Sequence, residues 1–193
     1  AFLTDSNIMS LEQVIESIEN DADNDRIRRH LGLKLKVLKL IRDKCNPFVL
    51  SKLDFKIQNI NSLMRDESLL PMERAKVAVR KFRRISDSEV VTPSYVANEL
   101  VSFLPSDKID GKTIFLDIAS KQGELAIALF EKYSNVRGVK EHIYSLTTSP
   151  VTYELTRKMY EMLGLPVDNV IKGYVSADFI SGNGKLRQEI NGI

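Results

Sequence analysis

Residues 113–133, TIFLDIASKQGELAIALFEKY, form the segment that most constrains how this chain can fold. A short apolar run ends in an acid at Asp117, a tight polar stretch follows as far as Gly123, and an apolar pattern at helical spacing begins at Leu125. A buried strand, a sharp turn with a carboxylate and a glycine, and an immediate helix are typical of the first half of a nucleotide-cofactor site in an α/β domain.

The residues that follow repeat this alternation of strand and helix. We expect strands at 142–147 and 170–171, with a helix between them that begins at Ser149-Pro150, where Ser149 is the cap and Pro150 lies in the first turn. Strands that alternate with helices pair in parallel through right-handed crossovers. The sequence therefore predicts an α/β domain over residues 86–193 with three parallel strands, which is half of a sheet, so we expect the domain to be truncated.

Residues 1–85 are predicted to form a separate, all-helical subdomain. A capping box at Ser10 starts a first helix, and an apolar stripe predicts a second, longer helix from about Asn24 to just before Pro47. The remaining two predicted helices each carry apolar residues at three- and four-residue spacing and cover residues 50–64 and 71–84.

Bulk composition excludes several classes of protein. Of the 193 residues 43% are hydrophobic and 28% are charged, which indicates a folded core rather than wholesale disorder. The sequence contains no run of 18 apolar residues and no secretory signal, so we expect a cytoplasmic protein without a membrane span. The single Cys45 has no internal disulfide partner and no Cys/His cluster has zinc-like spacing, so no metal site is expected.

Basic residues concentrate in two parts of the helical region, residues 26–44 and 74–84. Such clusters either contact phosphates or form the solvated faces of amphipathic helices. The second cluster directly precedes the predicted cofactor domain. Its residues Lys81, Arg83 and Arg84 are therefore our candidates for contact with double-stranded DNA.

The turn after Asp117 lacks the motifs of other nucleotide sites. Neither the G-x-G-x-x-G of dinucleotide sites nor a G-x-x-x-x-G-K-[ST] phosphate loop is present, and Lys121 and Gln122 stand where small residues would be expected. A strand-ending acid beside a glycine suits a cofactor that bears a charged amino group as well as an adenosine. Taken alone, such an acid is as often a simple turn residue.

Two segments carry a stronger signal when they are taken together. The first, EVVTP at residues 89–93, predicts the start of a helix, with Thr92 as its cap and Pro93 in its first turn. The second is LDIASKQGEL at residues 116–125. This pair resembles the front of the S-adenosylmethionine-dependent N-6 adenine DNA methyltransferases of restriction–modification systems, in which a Thr-Pro segment precedes an LDPACGSGNFL turn. The resemblance covers roughly residues 83–180 and implies a Rossmann-like sheet, S-adenosyl-L-methionine as cofactor and DNA as substrate.

The resemblance also implies which residues touch the cofactor. Thr92 and Pro93 would flank its methionine end, and Asp117 would interact with its amino group. Ala119 and Gly123 would allow close approach of the backbone. Nothing in composition or periodicity assigns these roles.

Further residues are implied at the adenosine end. After the third strand, Asp178 and Phe179 would bracket the adenine, with Asp178 accepting from its exocyclic amine; the alternative for Asp178 is a solvent-facing turn residue. Where the family has an acid for the ribose hydroxyls, this sequence has the hydroxyl residues 147–149, and the family's first glycine is Lys121. A hydroxyl replaces one hydrogen bond but not a bidentate carboxylate.

The sequence contains no [N/D]-P-P-[Y/F] tetrapeptide, which in this family holds the flipped adenine during methyl transfer. We therefore expect no catalytic residue in this chain and interpret it as the N-terminal piece of the enzyme, inactive alone, with restriction or specificity subunits as further partners. The alternative is a non-catalytic DNA- or protein-binding module with a degenerate methyltransferase-like fold. Lys121 and the missing ribose acid favour that alternative, and the intact order from Thr92 to Gly123 opposes it.

Overall fold

The computed structural model describes residues 1–82, 84–86 and 89–175, and the chain divides into two compact units, 1–69 and 70–193. The first unit is helical, as the sequence predicts for this region. Its helices are α1 Leu11–Asn20, α2 Ala22–His30, α3 Leu35–Lys44 and α4 Pro47–Met64.

Helix α1 forms the centre of the first unit. Its cap is Ser10, whose side chain accepts a hydrogen bond from the backbone N–H of Gln13, so the predicted helix start is confirmed. One face of α1 buries Leu11, Ile15 and Ile18, and the helix packs against α2, α3 and α4. This apolar stripe is what holds the other helices of the unit together.

The prediction of one long helix from Asn24 to before Pro47 is wrong, because the chain breaks at Gly32. This glycine has a φ of +70°, in the left-handed region, and the backbone N–H of Leu33 turns back to the carbonyl of Arg28. A left-handed glycine with such a bond ends a helix. The apolar stripe continues into α3, so the periodicity of the apolar residues alone does not reveal the break.

The second unit contains a small parallel sheet and the helices that connect its strands. In chain order its elements are α5 Pro71–Lys81, β1 Arg84–Ser86, β2 Glu89–Val90, α6 Ser94–Ser102, β3 Phe115–Ser120, α7 Glu124–Tyr133, β4 Ile143–Thr147, α8 Pro150–Leu163 and β5 Val170–Lys172. Strands β1 and β2 pair antiparallel, while β3, β4 and β5 form a parallel sheet in that order. The predicted α/β class with three parallel strands is confirmed for the described residues.

Two helices of this unit follow a proline, and the sequence predicts the same capping device for both. At α8 the prediction is confirmed, since Ser149 is the cap, accepts from the N–H of Thr152, and Pro150 occupies the first turn. At α6 the predicted cap Thr92 is wrong, because Pro93 itself is the cap residue and no side chain caps the helix. The shift of one residue frees the Thr92 side chain from a capping role.

The core of the second unit lies where α5, α7 and α8 meet around the sheet. Helix α7 buries Ala126, Ile127, Ala128 and Leu129, and α5 packs on both α7 and α8. The sequence predicts a domain boundary near residue 85, whereas α5 is part of the second compact unit. Its alanines and Val79 are buried there, which indicates that α5 belongs to the scaffold around the sheet.

Candidate functional site

Strand β3 ends in an irregular segment that carries the predicted acid. Between Asp117 and Ser120 the register with β4 shifts, so that three steps along β3 face two along β4. Ile118 and Ala119 lie in this bulge and are exposed. Bulges of this kind redirect side chains and are common beside functional sites.

Asp117 is the third residue of β3, which continues to Ser120, so the acid does not end the strand as the sequence predicts. It directly precedes the bulge that leads to the carboxyl edge of the sheet, the edge at which ligands bind in parallel sheets. Its carboxylate is half-buried and accepts a hydrogen bond from the N–H of Ala119 at 3.2 Å. Burial raises the pKa of Asp117, and hydrogen bonds from Ala119 and the Ser120 hydroxyl oppose that rise. An additional donor from a ligand would favour the charged form further.

Gly123 is required by the backbone of the turn. It adopts φ +80° and ψ 27°, in the left-handed region, and its N–H donates to the Ser120 hydroxyl at 3.2 Å. A Cβ added at this position would meet side chains of α8, the nearest being Thr156 Cγ2 at 3.5 Å and Met159 Cβ at 3.7 Å. The glycine thus sets the start of α7 against α8, and the face that a Cβ would occupy points to that helix.

Gln122 ties the turn to the end of α5, a role that the sequence does not reveal. The side chain is fully buried, and its amide donates to the backbone carbonyl of Phe82. Its backbone N–H donates to Glu124 Oε2 at 2.9 Å. The only sequence signal for these contacts is a polar pair in place of the small residues expected there.

Glu124, the first residue of α7, is a buried carboxylate with only 6% of its surface exposed. Burial raises its pKa, and the nearby charge of Asp117 raises it further. The backbone N–H groups of Glu124 itself, Gln122 and Thr92 act in the opposite direction. Glu124 Oε1 accepts no hydrogen bond from any described residue.

We expect Glu124→Gln to flatten the pH dependence of stability. Because the pKa of Glu124 is raised above its ordinary 4.5 in the fold, the folded state binds the proton more tightly than the unfolded chain. The free energy of unfolding should therefore fall as pH rises from 4.5 through the raised pKa, and glutamine removes that fall. Denaturant titrations between about pH 4 and pH 8 measure it, with the exposed Glu99→Gln as control. Parallel profiles for Glu124→Gln and the unaltered chain would contradict this expectation.

The three hydroxyls after β4 all have protein partners. Thr147 is buried and donates to the carbonyl of Ile171 at 3.0 Å, and Ser149 caps α8. Thr148 accepts from the Lys121 ammonium, with 3.0 Å between Nζ and Oγ1. Lys121 therefore spans from the end of β3 to the end of β4, across the edge where the resemblance places the ribose.

A cavity of about 410 Å³ brings the Thr-Pro segment and the start of α7 together. Thr92, Pro93 and Glu124 all contribute to its wall, and the remaining lining comes from α5, Val91, α6 and further residues of α7. Asp117 and Ala119 do not line this cavity, although the charge of Asp117 is close enough to act on Glu124. The predicted residues therefore form two groups: Thr92 and Pro93 line the cavity, whereas Asp117 and Ala119 lie at the bulge of β3. Glu124 lines the cavity and is also close enough to Asp117 for its charge to act on it.

The remaining predicted residues are only partly described. Asp178, Phe179 and Arg83 lie outside the described residues. Lys81 is exposed at the last position of α5, and Arg84 begins β1.

Many basic residues of the first unit form ion pairs with acids on the surface. Arg42 pairs with Glu12 and Asp43, and Lys39 pairs with Glu19. These contacts agree with solvated helix faces, the alternative that the sequence left open for this cluster.

No helix within residues 1–82 and 89–175 is both long and apolar enough to cross a membrane. The same part of the chain contains no group of three or more His, Cys, Asp or Glu residues arranged to hold a metal ion. Comparisons with protein-family models, curated proteins and solved structures found no match to this chain. Function therefore has to be argued from the site itself.

Proposed function

We propose that this chain is the cofactor-binding part of an S-adenosylmethionine-dependent N-6 adenine DNA methyltransferase of a restriction–modification system, with a Rossmann-like sheet. One observation carries the proposal: Thr92 and Pro93, distant in sequence from the turn after β3, line the same cavity as Glu124 at the start of α7. The resemblance requires these two segments to meet at the cofactor. Asp117, directly before the bulge that leads to the carboxyl end of β3, supports the same location for the site.

The residues at the two ends of the expected cofactor differ in how well they fit it. The aminoacyl end carries an ammonium, and the carboxylates of Asp117 and Glu124, each with its pKa raised by burial, suit a cationic donor there. At the ribose end, Lys121 bonds to Thr148 and no acid directly follows β4. The fit is therefore good at the aminoacyl end and poor at the ribose.

Within the proposed enzyme, these residues bind and orient the cofactor. When bound, S-adenosylmethionine would supply an activated methyl group, and Asp117 would hold its ammonium. The adenine-binding tetrapeptide is absent from the sequence, so methyl transfer requires residues outside this chain. Lys81, Arg83 and Arg84 would contact DNA phosphates, which makes binding salt-dependent.

We expect S-adenosylmethionine to bind this chain and Asp117→Ala to weaken the affinity about tenfold, because the ammonium loses a charged acceptor. Isothermal titration calorimetry measures both dissociation constants, and thermal melts check that the variant folds. Asp107→Ala, an exposed position in the turn after α6, makes the same charge change and should leave the affinity unchanged. Absence of binding, or equal binding by Asp117→Ala, would sink the cofactor proposal.

A second candidate is the non-catalytic DNA- or protein-binding module. The observation that favours it is the hydrogen bond between Lys121 and Thr148. This bond occupies, with protein side chains, the position at which the resemblance expects the ribose of the cofactor. This candidate gives no heat with S-adenosylmethionine. It predicts DNA binding that weakens steeply with salt and is reduced by Lys81→Gln.

A further inference from the structure

The cavity beside α7 is lined by both apolar and charged side chains. Its volume of about 410 Å³ is within the range of small-molecule sites. The apolar part of the wall includes Val79, Val91 and Ile127, and the charged part includes Arg80 and Glu124. These residues come from α5, from the segment before α6 and from α7, so the cavity depends on the tertiary fold of the second unit.

Glu124 lines this cavity and has one carboxylate oxygen that accepts no hydrogen bond from the described residues. The residue is more than nine-tenths buried, and its Oε2 is held by the N–H of Gln122. Its other oxygen, Oε1, is buried and accepts no hydrogen bond within the described ranges. A buried carboxylate oxygen is stabilised when a donor reaches it, most strongly when that donor is cationic.

Arg80 contributes the opposite charge. Its side chain is exposed, and its Nε makes a long bond of 3.4 Å to the carbonyl of Lys76. The ammonium of Lys76, the other cation in the cavity wall, is paired with Glu131. The guanidinium of Arg80 is therefore the group best suited to receive a carboxylate from a ligand.

A carboxylate, a guanidinium and aliphatic side chains around one small cavity match the groups of an α-amino acid. We propose that Glu124 accepts from the α-ammonium of the ligand's aminoacyl end and that Arg80 binds its carboxylate. This inference rests on the proposed function for the identity of the ligand, and it goes beyond the resemblance, which assigns the ammonium to Asp117 alone. Glu124 and Arg80 are then residues that determine specificity for the aminoacyl group.

The test compares two ligands that differ in this group. S-adenosylhomocysteine carries the aminoacyl end, whereas 5′-methylthioadenosine lacks it. We expect Glu124→Gln and Arg80→Gln each to weaken S-adenosylhomocysteine about fivefold and to leave methylthioadenosine unchanged, because only the first ligand reaches these side chains. Glu99→Gln, which removes the same charge from the exposed face of α6, should change neither affinity.

The outcomes separate this inference from the proposed function. Equal weakening of both ligands by Glu124→Gln and Arg80→Gln would assign them a structural role and overturn the inference. Unchanged affinities in both variants would overturn it as well, while the proposed function stands. If the unaltered chain binds neither these ligands nor S-adenosylmethionine, both fail. Should Glu124→Gln not fold, Arg80→Gln at an exposed position decides the question by the same ligand comparison.

Discussion

Replacing Lys121 with glutamate is expected to strengthen the binding of S-adenosylmethionine roughly fiftyfold, the product of two similar steps of charge change. The Lys121 ammonium bonds to Thr148 at the edge of β3 and β4, where the proposed ribose would lie. The proposed cofactor is itself cationic, so Lys121 would repel it. Glutamine at this position removes the repulsion, and glutamate adds the carboxylate that the ribose hydroxyls lack in this sequence.

Two substitutions of Lys121 that differ in charge test this expectation. Lys121→Gln should account for roughly a sevenfold gain and Lys121→Glu for a further similar factor, as measured by calorimetry at low ionic strength. Lys112→Gln is the matched control, because Lys112 is exposed and precedes β3 at the opposite end of the strand. Thermal melts are needed for Lys121→Glu, since the new acid would join Asp117 and Glu124 in one turn. Affinities that do not follow the charge at this position would contradict an electrostatic role for Lys121.

The parts of the fold that can be predicted from local sequence are those that a single short motif determines. The Ser149-Pro150 pair predicts the start of α8, because a hydroxyl cap and a fixed proline φ act within one turn. The apolar run before Asp117 predicts β3, although the strand continues past the acid to Ser120. Parallel pairing follows from the alternation of strands and helices, whatever their exact bounds.

Other features depend on contacts that local sequence does not contain. Gly32 ends α2 inside a continuous apolar stripe, so periodicity predicts one helix where two form. Thr92 has the residue type of a cap, but the helix starts one residue later than that role requires. In both cases the backbone conformation of a single residue sets where a helix ends or begins.

The residues of the candidate site also divide into those that local sequence predicts and those that depend on tertiary contacts. Asp117 and Gly123 can be predicted because they belong to one turn. Glu124 becomes notable only once α7 is packed, since its burial and the unsatisfied Oε1 arise from elements more than 30 residues away in sequence, among them Thr92. The same holds for Gln122 and its bond to the carbonyl of Phe82.

Replacing Gly138 with alanine is expected to lower the free energy of unfolding by about 2–4 kcal/mol. Gly138 has a φ of +91°, in the left-handed region, so any side chain strains the backbone. A Cβ at this position would also lie 2.8 Å from the backbone carbonyl oxygen of Gly111. Because backbone cannot yield as a flexible side chain does, the loops before β3 and β4 would have to separate.

Gly164→Ala is the matched control for this prediction, and denaturant unfolding monitored by circular dichroism measures both variants. Gly164 has a similar left-handed φ of +67°, but a Cβ there would meet no atom within 4 Å. Strain alone should therefore lower its stability by about 1 kcal/mol. Equal losses in the two variants would show that the contact with Gly111 does not constrain the fold. Since both loops lie at the amino ends of the strands, the Gly138→Ala variant should keep the ligand affinities of the unaltered chain wherever it remains folded.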